Sequence, residues 1–286
     1  MKARWALILL YVAALAPGFF APYDPEEQHR DSVFMPPSVA PVRLFVEGPE
    51  YLVAGVAPGR LHLAAFDRPA FPLGTDGLGR DQLSRLLHGA QISLYTGLLA
   101  ALITLAIGAV TGVLAGYFGG WMDGVIMRLT EVFQVLPWLY LLIAVRAALP
   151  LHVDPAAAFA LTTALIGVIG WARPARLIRG VALGAREKDF VEAARGFGAG
   201  EWYILRRHIL PQAYGVARTQ ASLLIPQYIL AEVALSFLGL GVAEPVPSLG
   251  AMLAPLREYH VMASYWWMFA PSLALIPLSI IVDKSK

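Results

Sequence analysis

Six long apolar runs without any Asp, Glu, Lys or Arg divide this chain of 286 residues. They are Trp5–Tyr23, Leu86–Met122, Val132–Val145, Pro155–Ala172, Thr219–Ala231 and Val261–Val282. A helix needs about 20 apolar residues to cross the hydrocarbon core of a bilayer, and the third run extends upstream past Arg128 and Glu131. The pattern therefore predicts an all-α polytopic membrane protein with six transmembrane helices, centred near residues 12, 105, 137, 164, 228 and 272.

Composition agrees with a membrane protein and narrows its chemistry. Only 15% of the residues are charged, whereas soluble domains have roughly 25%. A net charge of +2 is too small to indicate a nucleic-acid partner, and the absence of cysteine excludes disulfides and a cysteine nucleophile. The six histidines show no ligand spacing, so we predict no metal site and no cofactor.

The first apolar run has two interpretations. Lys2 and Arg4 precede it, and Ala14–Ala16 resembles a signal-peptide cleavage site. However, Pro17 would follow the cut, where proline hinders cleavage, and the apolar run continues beyond it. We therefore predict an uncleaved N-terminal transmembrane anchor over residues 1–23.

Basic residues predict the orientation of the spans. Eight of the 22 Lys and Arg lie between Arg173 and Pro211, whereas Arg257 is the one basic residue in Gly241–Ser264. Short cytoplasmic loops are enriched in Lys and Arg, so the former segment should face the cytoplasm. Lys2 and Arg4 place the N-terminus on the same side, as six crossings require.

Residues 24–85 would then form an extracytoplasmic segment. Val42–Val46 and Arg60–Ala64 alternate in the manner of short strands. Apolar side chains offer a modest core: Phe34, Leu44, Phe45, Tyr51, Leu61, Phe66 and Phe71. We predict a small folded segment here.

The basic segment at 173–213 has a pattern of helix, turn and helix. Glu187–Phe197 favours a helix with an apolar face of Phe190, Val191, Ala194 and Phe197. Three glycines, Gly196, Gly198 and Gly200, break it, and Glu201–Leu210 restarts it. Small residues between exposed charges suit docking into a groove on a partner; the alternative is that the arginines only bind anionic lipid.

This segment also resembles a known family. Glu192-Ala193-Ala194, followed by Gly198 and by Leu210-Pro211, is similar to the EAA loop of permease subunits in binding-protein-dependent ABC importers. Four further blocks resemble the dipeptide and oligopeptide branch of that family: Phe71–Leu94, Gly116–Arg128, Gly170–Gly180 and Leu235–Leu253. The subunit resembled is the second permease of the pair.

The resemblance implies a type I ABC importer permease fold, in which residues 86–286 form a five-helix transmembrane domain. It implies a bacterial inner-membrane location, a heterodimer with a second permease, two cytoplasmic ATPases and an extracytoplasmic solute-binding protein. The imported solute would be a di- or oligopeptide, or, with the same machinery, nickel or a sugar derivative. No Gly-Lys dipeptide occurs, so a Walker loop is absent and ATP hydrolysis must come from another chain.

In such importers the EAA loop is the coupling helix that docks on an ATPase. The corresponding residues are Glu192, Ala193, Ala194, Gly198, Leu210 and Pro211. The family places Ile two residues before the Leu-Pro pair, and this chain has His208 there with Ile209 following. The second half of the EAA loop in this chain therefore departs from the family's pattern. The short tail after Val282 is a further departure, since relatives usually continue further.

Two other groups have alternative interpretations. The external block contains Gly74, Thr75, Asp76, Gly79, Arg80 and Asp81. It is either a turn in which Asp81 caps the next helix, or a contact with substrate or binding protein. Glu232, within the fifth span, either lines the translocation path or makes a structural hydrogen bond, because a buried charge is costly.

Spacing predicts two structural contacts. Gly108, Gly112 and Gly116 recur every four residues, which favours close helix packing in lipid. Arg128 and Glu131, three residues apart, should pair.

Two functions from other classes are disfavoured. An intramembrane hydrolase would need a nucleophile–base pair or metal ligands at membrane depth. An ion-driven secondary transporter would need charged residues within the spans and paired broken helices. The predicted spans provide neither pattern beyond the isolated Glu232.

Overall fold

The computed structural model describes residues 11–53, 56–150, 153–242 and 244–283, with side chains as far as residue 276. It divides into two compact units. The first unit takes the described parts of Met1–Thr96, Pro150–Thr162 and Ile229–Ser285, and the second takes Gly97–Leu149 and Thr163–Tyr228.

Helices make up most of the described chain. They are α1 (Pro17–Phe20), α2 (Gln82–Phe118), α3 (Gly120–Val135), α4 (Trp138–Ala148), α5 (Pro155–Ile169), α6 (Ala172–Arg186), α7 (Asp189–Gly196), α8 (Glu201–Ile204), α9 (Tyr214–Phe237), α10 (Leu249–Leu253), α11 (Tyr259–Ser264) and α12 (Ala270–Asp283). Turns of 3-10 helix lie at Arg30–Ser32, Leu210–Ala213, Ala254–Arg257 and Trp266–Phe269, and a π turn at Leu205–Ile209.

Two stretches are long and apolar enough to cross a membrane as single helices, namely α2 and Glu201–Phe237. Two bent pairs also qualify: α3 and α4 meet at 90°, and α5 and α6 at 43°. The described residues thus supply up to four spans by length and composition. Much of the first predicted span lies outside the described residues, and α12 has only 14 residues. The count of six therefore stays a prediction.

The third apolar run is not the continuous helix that we predicted. It is broken at Leu136 and Pro137, between α3 and α4. Proline disfavours helical geometry in the residue before it, and Leu136 accordingly has an extended ψ of 132°. The expectation that broken helices are missing was therefore wrong.

The external segment contains an antiparallel hairpin. Its strands, β1 (Val42–Val53) and β2 (Ala57–Phe66), confirm both predicted strands and are longer than expected. Val42 pairs with Phe66 and Val46 with His62, with an irregularity between Glu47 and Tyr51.

The modest core that we predicted for this segment is only partly correct. Phe71 is fully buried, but Leu44 and Phe45 are each 63% exposed and Leu61 is 45% exposed. A sheet of two strands has too little surface to enclose the side chains on both its faces, so these residues point outward.

Packing in the second unit brings α2 close to α6. A Cβ added to Gly116 would lie 2.5 Å from the carbonyl oxygen of Arg179 and 2.8 Å from the Cβ of Ala182. Gly112 meets Ala175 in the same way, and Gly108 meets Pro174. The predicted close packing at these glycines is confirmed.

An ion pair joins α3 to α6, and another lies within α3. Arg179 of α6 donates two hydrogen bonds to Asp123, from Nε to Oδ1 and from Nη2 to Oδ2, each of 2.5 Å. Arg128 donates to Glu131 at 2.9 Å, which confirms the predicted pair.

Candidate functional site

The helix predicted at Glu187–Phe197 is present as α7, which presents one face to the protein and one to solvent. Val191 is fully buried and Ala194 half-buried, whereas Glu192 and Ala193 are exposed. The buried face packs into a cluster of apolar side chains that includes Val113, Ile178, Ile204 and Ile209. Of the two small residues, Ala193 thus lies on the exposed face of α7 and Ala194 on the buried face.

Gly198 ends α7 in a specific hydrogen-bonded turn. Its φ of +81° lies in the left-handed region that favours glycine. The N–H of Ala199 donates to the carbonyl of Ala194 at 3.0 Å, and that of Gly198 to Arg195 at 2.9 Å. This is the Schellman arrangement of a helix C-terminus. Of the three glycines proposed to break the helix, Gly198 is the one with a positive φ.

Tyr117, near the end of α2, joins the two halves of the segment. Its hydroxyl donates to the carboxylate of Glu201 and accepts from Nη2 of Arg195 at 3.2 Å. Arg195 also lies 3.5 Å from Glu201 and over the Tyr117 ring. Arg186 donates to the backbone carbonyl of Tyr117 at 3.2 Å.

The second half of the segment begins as predicted but does not continue as a regular α-helix. After α8 the chain widens into the π turn at Leu205–Ile209 and then tightens into 3-10 geometry at Leu210–Ala213. Proline lacks an N–H for the α-helical ladder, so Pro211 accounts for the change. Ile209 is fully buried, while His208 is half-buried beside the rings of Phe190 and Tyr203.

Exposed aromatic residues surround α7. Phe197 is 93% exposed, Trp202 70% and Tyr203 58%. Phe197, Gly198, Tyr203 and His208 line an open cleft of about 500 Å³. We had assigned Phe197 to the apolar face, and this was wrong because it follows the last turn of α7. Trp202 and Tyr203 were missed, although two adjacent aromatics after Glu201 in a charged segment were a visible signal.

The external block in the first unit is a buried turn. Asp76 Oδ1 accepts from the N–H groups of Leu78 at 2.8 Å and Arg80 at 3.0 Å, while its Oδ2 accepts from Arg80 Nε at 2.7 Å. Gly74 and Gly79 have φ of +72° and +73°. The Thr75 hydroxyl donates to the Ser32 carbonyl and accepts from the N–H of Met35 at 2.8 Å.

Asp81 caps α2, as the structural interpretation predicted. Its Oδ2 accepts from the N–H of Ser84 at 2.7 Å. Burial raises the pKa of the Asp81 carboxyl, and the hydrogen bonds from Ser84 offset part of that rise.

Two arginines of this region share one carboxylate that the sequence did not single out. Arg80 donates to Glu244 at 2.5 and 3.3 Å, and Arg85 donates to the same carboxylate at 2.9 Å. Both guanidinium groups are at least nine-tenths buried, and half of the Glu244 side chain is exposed. Arg80 and Glu244 are 164 residues apart in the chain, and over such a separation sequence spacing gives no signal of a contact.

Glu232 is fully buried in the first unit. Ser93 donates to its Oε2 at 2.5 Å and Ser236 to its Oε1 at 2.6 Å. Each carboxylate oxygen thus has a hydroxyl partner, which favours the structural hydrogen bond among the two interpretations.

Comparison with known proteins identifies the family. Residues 108–285, which contain α7 and Glu232, match the binding-protein-dependent transport system inner membrane component family. The chain belongs to this family. It is thus a membrane permease, and the basic segment at 173–213 lies within the matched region.

Two relatives match this permease over nearly its whole length. It is 32% identical over 272 residues to the dipeptide transport system permease protein DppC of Haemophilus influenzae, covering 95% of this chain and 81% of that one. It is 36% identical over 272 residues to the di/tripeptide transport system permease protein DppC of Pseudomonas aeruginosa, covering 94% and 78%.

A solved structure also shares the fold. The MetNI methionine ABC transporter in inward-facing conformations superposes with a TM-score of 0.51, covering 70% of this chain and 92% of that chain. At 18% identity this shows the fold alone. The predicted all-α permease fold of type I importers is confirmed.

Proposed function

We propose that this permease is the second transmembrane subunit of an ATP-driven importer of di- or oligopeptides. Its partners are a different permease subunit, two cytoplasmic ATPases and an extracytoplasmic binding protein. The proposal of a peptide cargo rests on one observation, the 32% and 36% identity over almost the entire chain to permeases named for dipeptides and for di/tripeptides.

We further propose that α7 and the turn after it form the docking surface for one ATPase. Glu192, Ala193, Phe197 and Gly198 are exposed on one side, and Ala194 packs against the apolar cluster on the other. An exposed aromatic beside small residues is the composition expected of a contact that fills a partner's groove.

Movement of the docked ATPases would reach the spans through rigid contacts. Val191 and Ala194 pack against residues of α2 and α6, and Arg195 binds Tyr117 at the end of α2. When the ATPases close on ATP, α7 would therefore carry α2 and α6 with it. The external block and Glu232 would support the first unit and take no part in docking.

Replacing Gly198 with proline tests the docking proposal. Proline fixes φ near −65°, and position 198 needs +81°, so the turn that ends α7 cannot form. We expect uptake of a radiolabelled dipeptide by cells lacking the native copy to fall at least roughly tenfold, a loss of about 1.4 kcal/mol or more, with the variant still present in membranes.

Gly184→Ala is the matched control. Gly184 lies in α6, outside the proposed docking surface, and nothing within 4 Å obstructs a Cβ there. Its uptake should match the wild type. If the Gly198→Pro variant takes up peptide at the wild-type rate, the docking proposal is contradicted. If wild-type cells fail to accumulate any di- or tripeptide, the proposal of a peptide cargo is contradicted.

A further inference from the structure

A cavity of about 320 Å³ opens in the second unit at the break between α3 and α4. Its walls come from this break, from the start of α6 and from the middle of α9. Sites for small molecules in proteins have volumes of roughly 300–1,000 Å³, so the cavity is large enough for a compact ligand.

The break itself is unusual for a membrane span. Pro137 precedes α4, and no side chain caps the first turn of that helix. Unpaired backbone groups are costly in lipid, so irregular backbone at membrane depth is found where protein covers it or where it lines a wet cavity. Broken helices also form the substrate sites of other transporters.

Three polar side chains of the cavity make no hydrogen bond or ion pair within the part of the chain that the structure describes: Gln134 and Arg173, which are exposed, and Gln227, which is half-buried. The next two arginines of α6 differ in this respect. Arg176 lies 3.8 Å from Glu131, and Arg179 binds Asp123. Arg173 is therefore a positive charge that no described carboxylate neutralises.

Aromatic rings supply the apolar wall. Phe133, Trp138 and Tyr228 line the cavity, and the rings of Trp138 and Tyr228 are 6.1 Å apart. Thr104 bonds the Tyr228 hydroxyl at 2.9 Å. Gly170 leaves the room that this hydroxyl occupies, since a Cβ there would overlap it.

We propose that this cavity binds the carboxyl-terminal residue of the transported peptide. Arg173 pairs with the α-carboxylate, because a guanidinium matches a carboxylate in both charge and shape. Gln134 and Gln227 satisfy the peptide's amide groups, and the aromatic wall receives its side chain. The assignment rests on the proposed function and names which end of the substrate this subunit holds.

Photolabelling with a synthetic dipeptide tests the assignment directly. The probe is alanyl-4-azidophenylalanine, compared with its carboxyl-terminal amide, on the nucleotide-free complex of both permeases and both ATPases in lipid. We expect mass spectrometry to find the free acid attached within Phe133–Trp138 or Leu224–Tyr228. The amide should label these stretches about tenfold less, because a charge-assisted bond is lost.

Arg173→Gln should reduce labelling by the free acid to the level of the amide, while the neighbouring Arg176→Gln should leave it unchanged. If Arg173→Gln does not assemble, Gln227→Leu replaces it and should lower labelling by both probes. Label elsewhere, or equal labelling by acid and amide in the wild type, would overturn the assignment, as would a cavity filled by the second permease and closed to both probes.

Uptake of alanyl-phenylalanine by the wild-type complex is scored separately. Uptake combined with label outside the cavity refutes the cavity alone. Absence of any peptide uptake refutes the proposed function, whatever the label shows.

Discussion

Single residues of this permease show which local signals a sequence carries well. The cap at Asp81 was predictable because its geometry involves only the next three residues. The left-handed turn at Gly198 was predictable because few residue types adopt a φ of +81°. Phe197 was not, because its exposure depends on the residue at which α7 ends, and helix ends are set by competing hydrogen bonds.

Asp81→Ala should destabilise the permease through loss of the cap on α2. The N–H of Ser84 would lose its acceptor, at a cost of about 1 kcal/mol. Asp81→Asn keeps a side-chain oxygen and should cost less. Thermal unfolding of the detergent-solubilised protein measures both, and equal melting temperatures for Asp81→Ala and wild type would contradict the cap.

The same carboxyl gives a pH dependence. Burial raises the pKa of Asp81 in the folded chain, so the folded state holds its proton more tightly than the unfolded state does. The resulting stability is present in acid and is lost as pH rises through the raised value. Stability of the wild type relative to Asp81→Asn should therefore fall between acidic and neutral pH. A constant difference across that range would show that this carboxyl does not titrate as described.

At the level of elements, the sequence predicted helices and close packing better than it predicted where helices bend. The glycines at 108, 112 and 116 recur at a spacing that favours close helix packing, within the subunit or against a partner, and α6 lies against them. The break at Pro137 was overlooked because hydrophobicity stays high on both sides of it. An apolar run indicates that a segment lies within the membrane, but it carries little information on whether the helix bends there.

Gly112→Ala should weaken the packing of α2 on α6. The new Cβ would overlap the carbonyl oxygen of Ala175, and backbone cannot move aside cheaply. Overpacking of this kind costs about 1–3 kcal/mol. Gly180→Ala, in α6 with nothing within 4 Å of its added Cβ, is the control and should be neutral or slightly stabilising. The measurement is the melting temperature of each purified variant, and the prediction fails if the two variants melt together.

For the whole molecule, the exposed apolar surface is the feature that composition alone leaves unresolved. A hydropathy of +0.61 predicts a membrane protein, but it does not distinguish side chains that meet lipid from those that meet another subunit. Tyr140 in α4 is 74% exposed and Phe197 is 93% exposed. Only the second lies beside the charged residues of the basic segment at 173–213, so the two should behave differently when the complex assembles.

Phe197→Ala should reduce the amount of ATPase that copurifies with this permease, as should Trp202→Ala. Aromatic anchors at interfaces typically contribute about 2 kcal/mol or more, which corresponds to roughly a thirtyfold change in affinity. Tyr140→Ala is the control with comparable exposure. Undiminished copurification with both segment variants would move the docking surface elsewhere.

The bond network at Tyr117 has a mechanical consequence. Its hydroxyl holds Arg195 of α7 and Glu201 of α8, and its backbone carbonyl holds Arg186 at the end of α6. Three helices thus meet on one residue, Tyr117, which belongs to α2, a helix long and apolar enough to cross a membrane. A displacement of the segment would therefore be transmitted to α2 with little loss. A flexible linker in the same place would absorb the displacement.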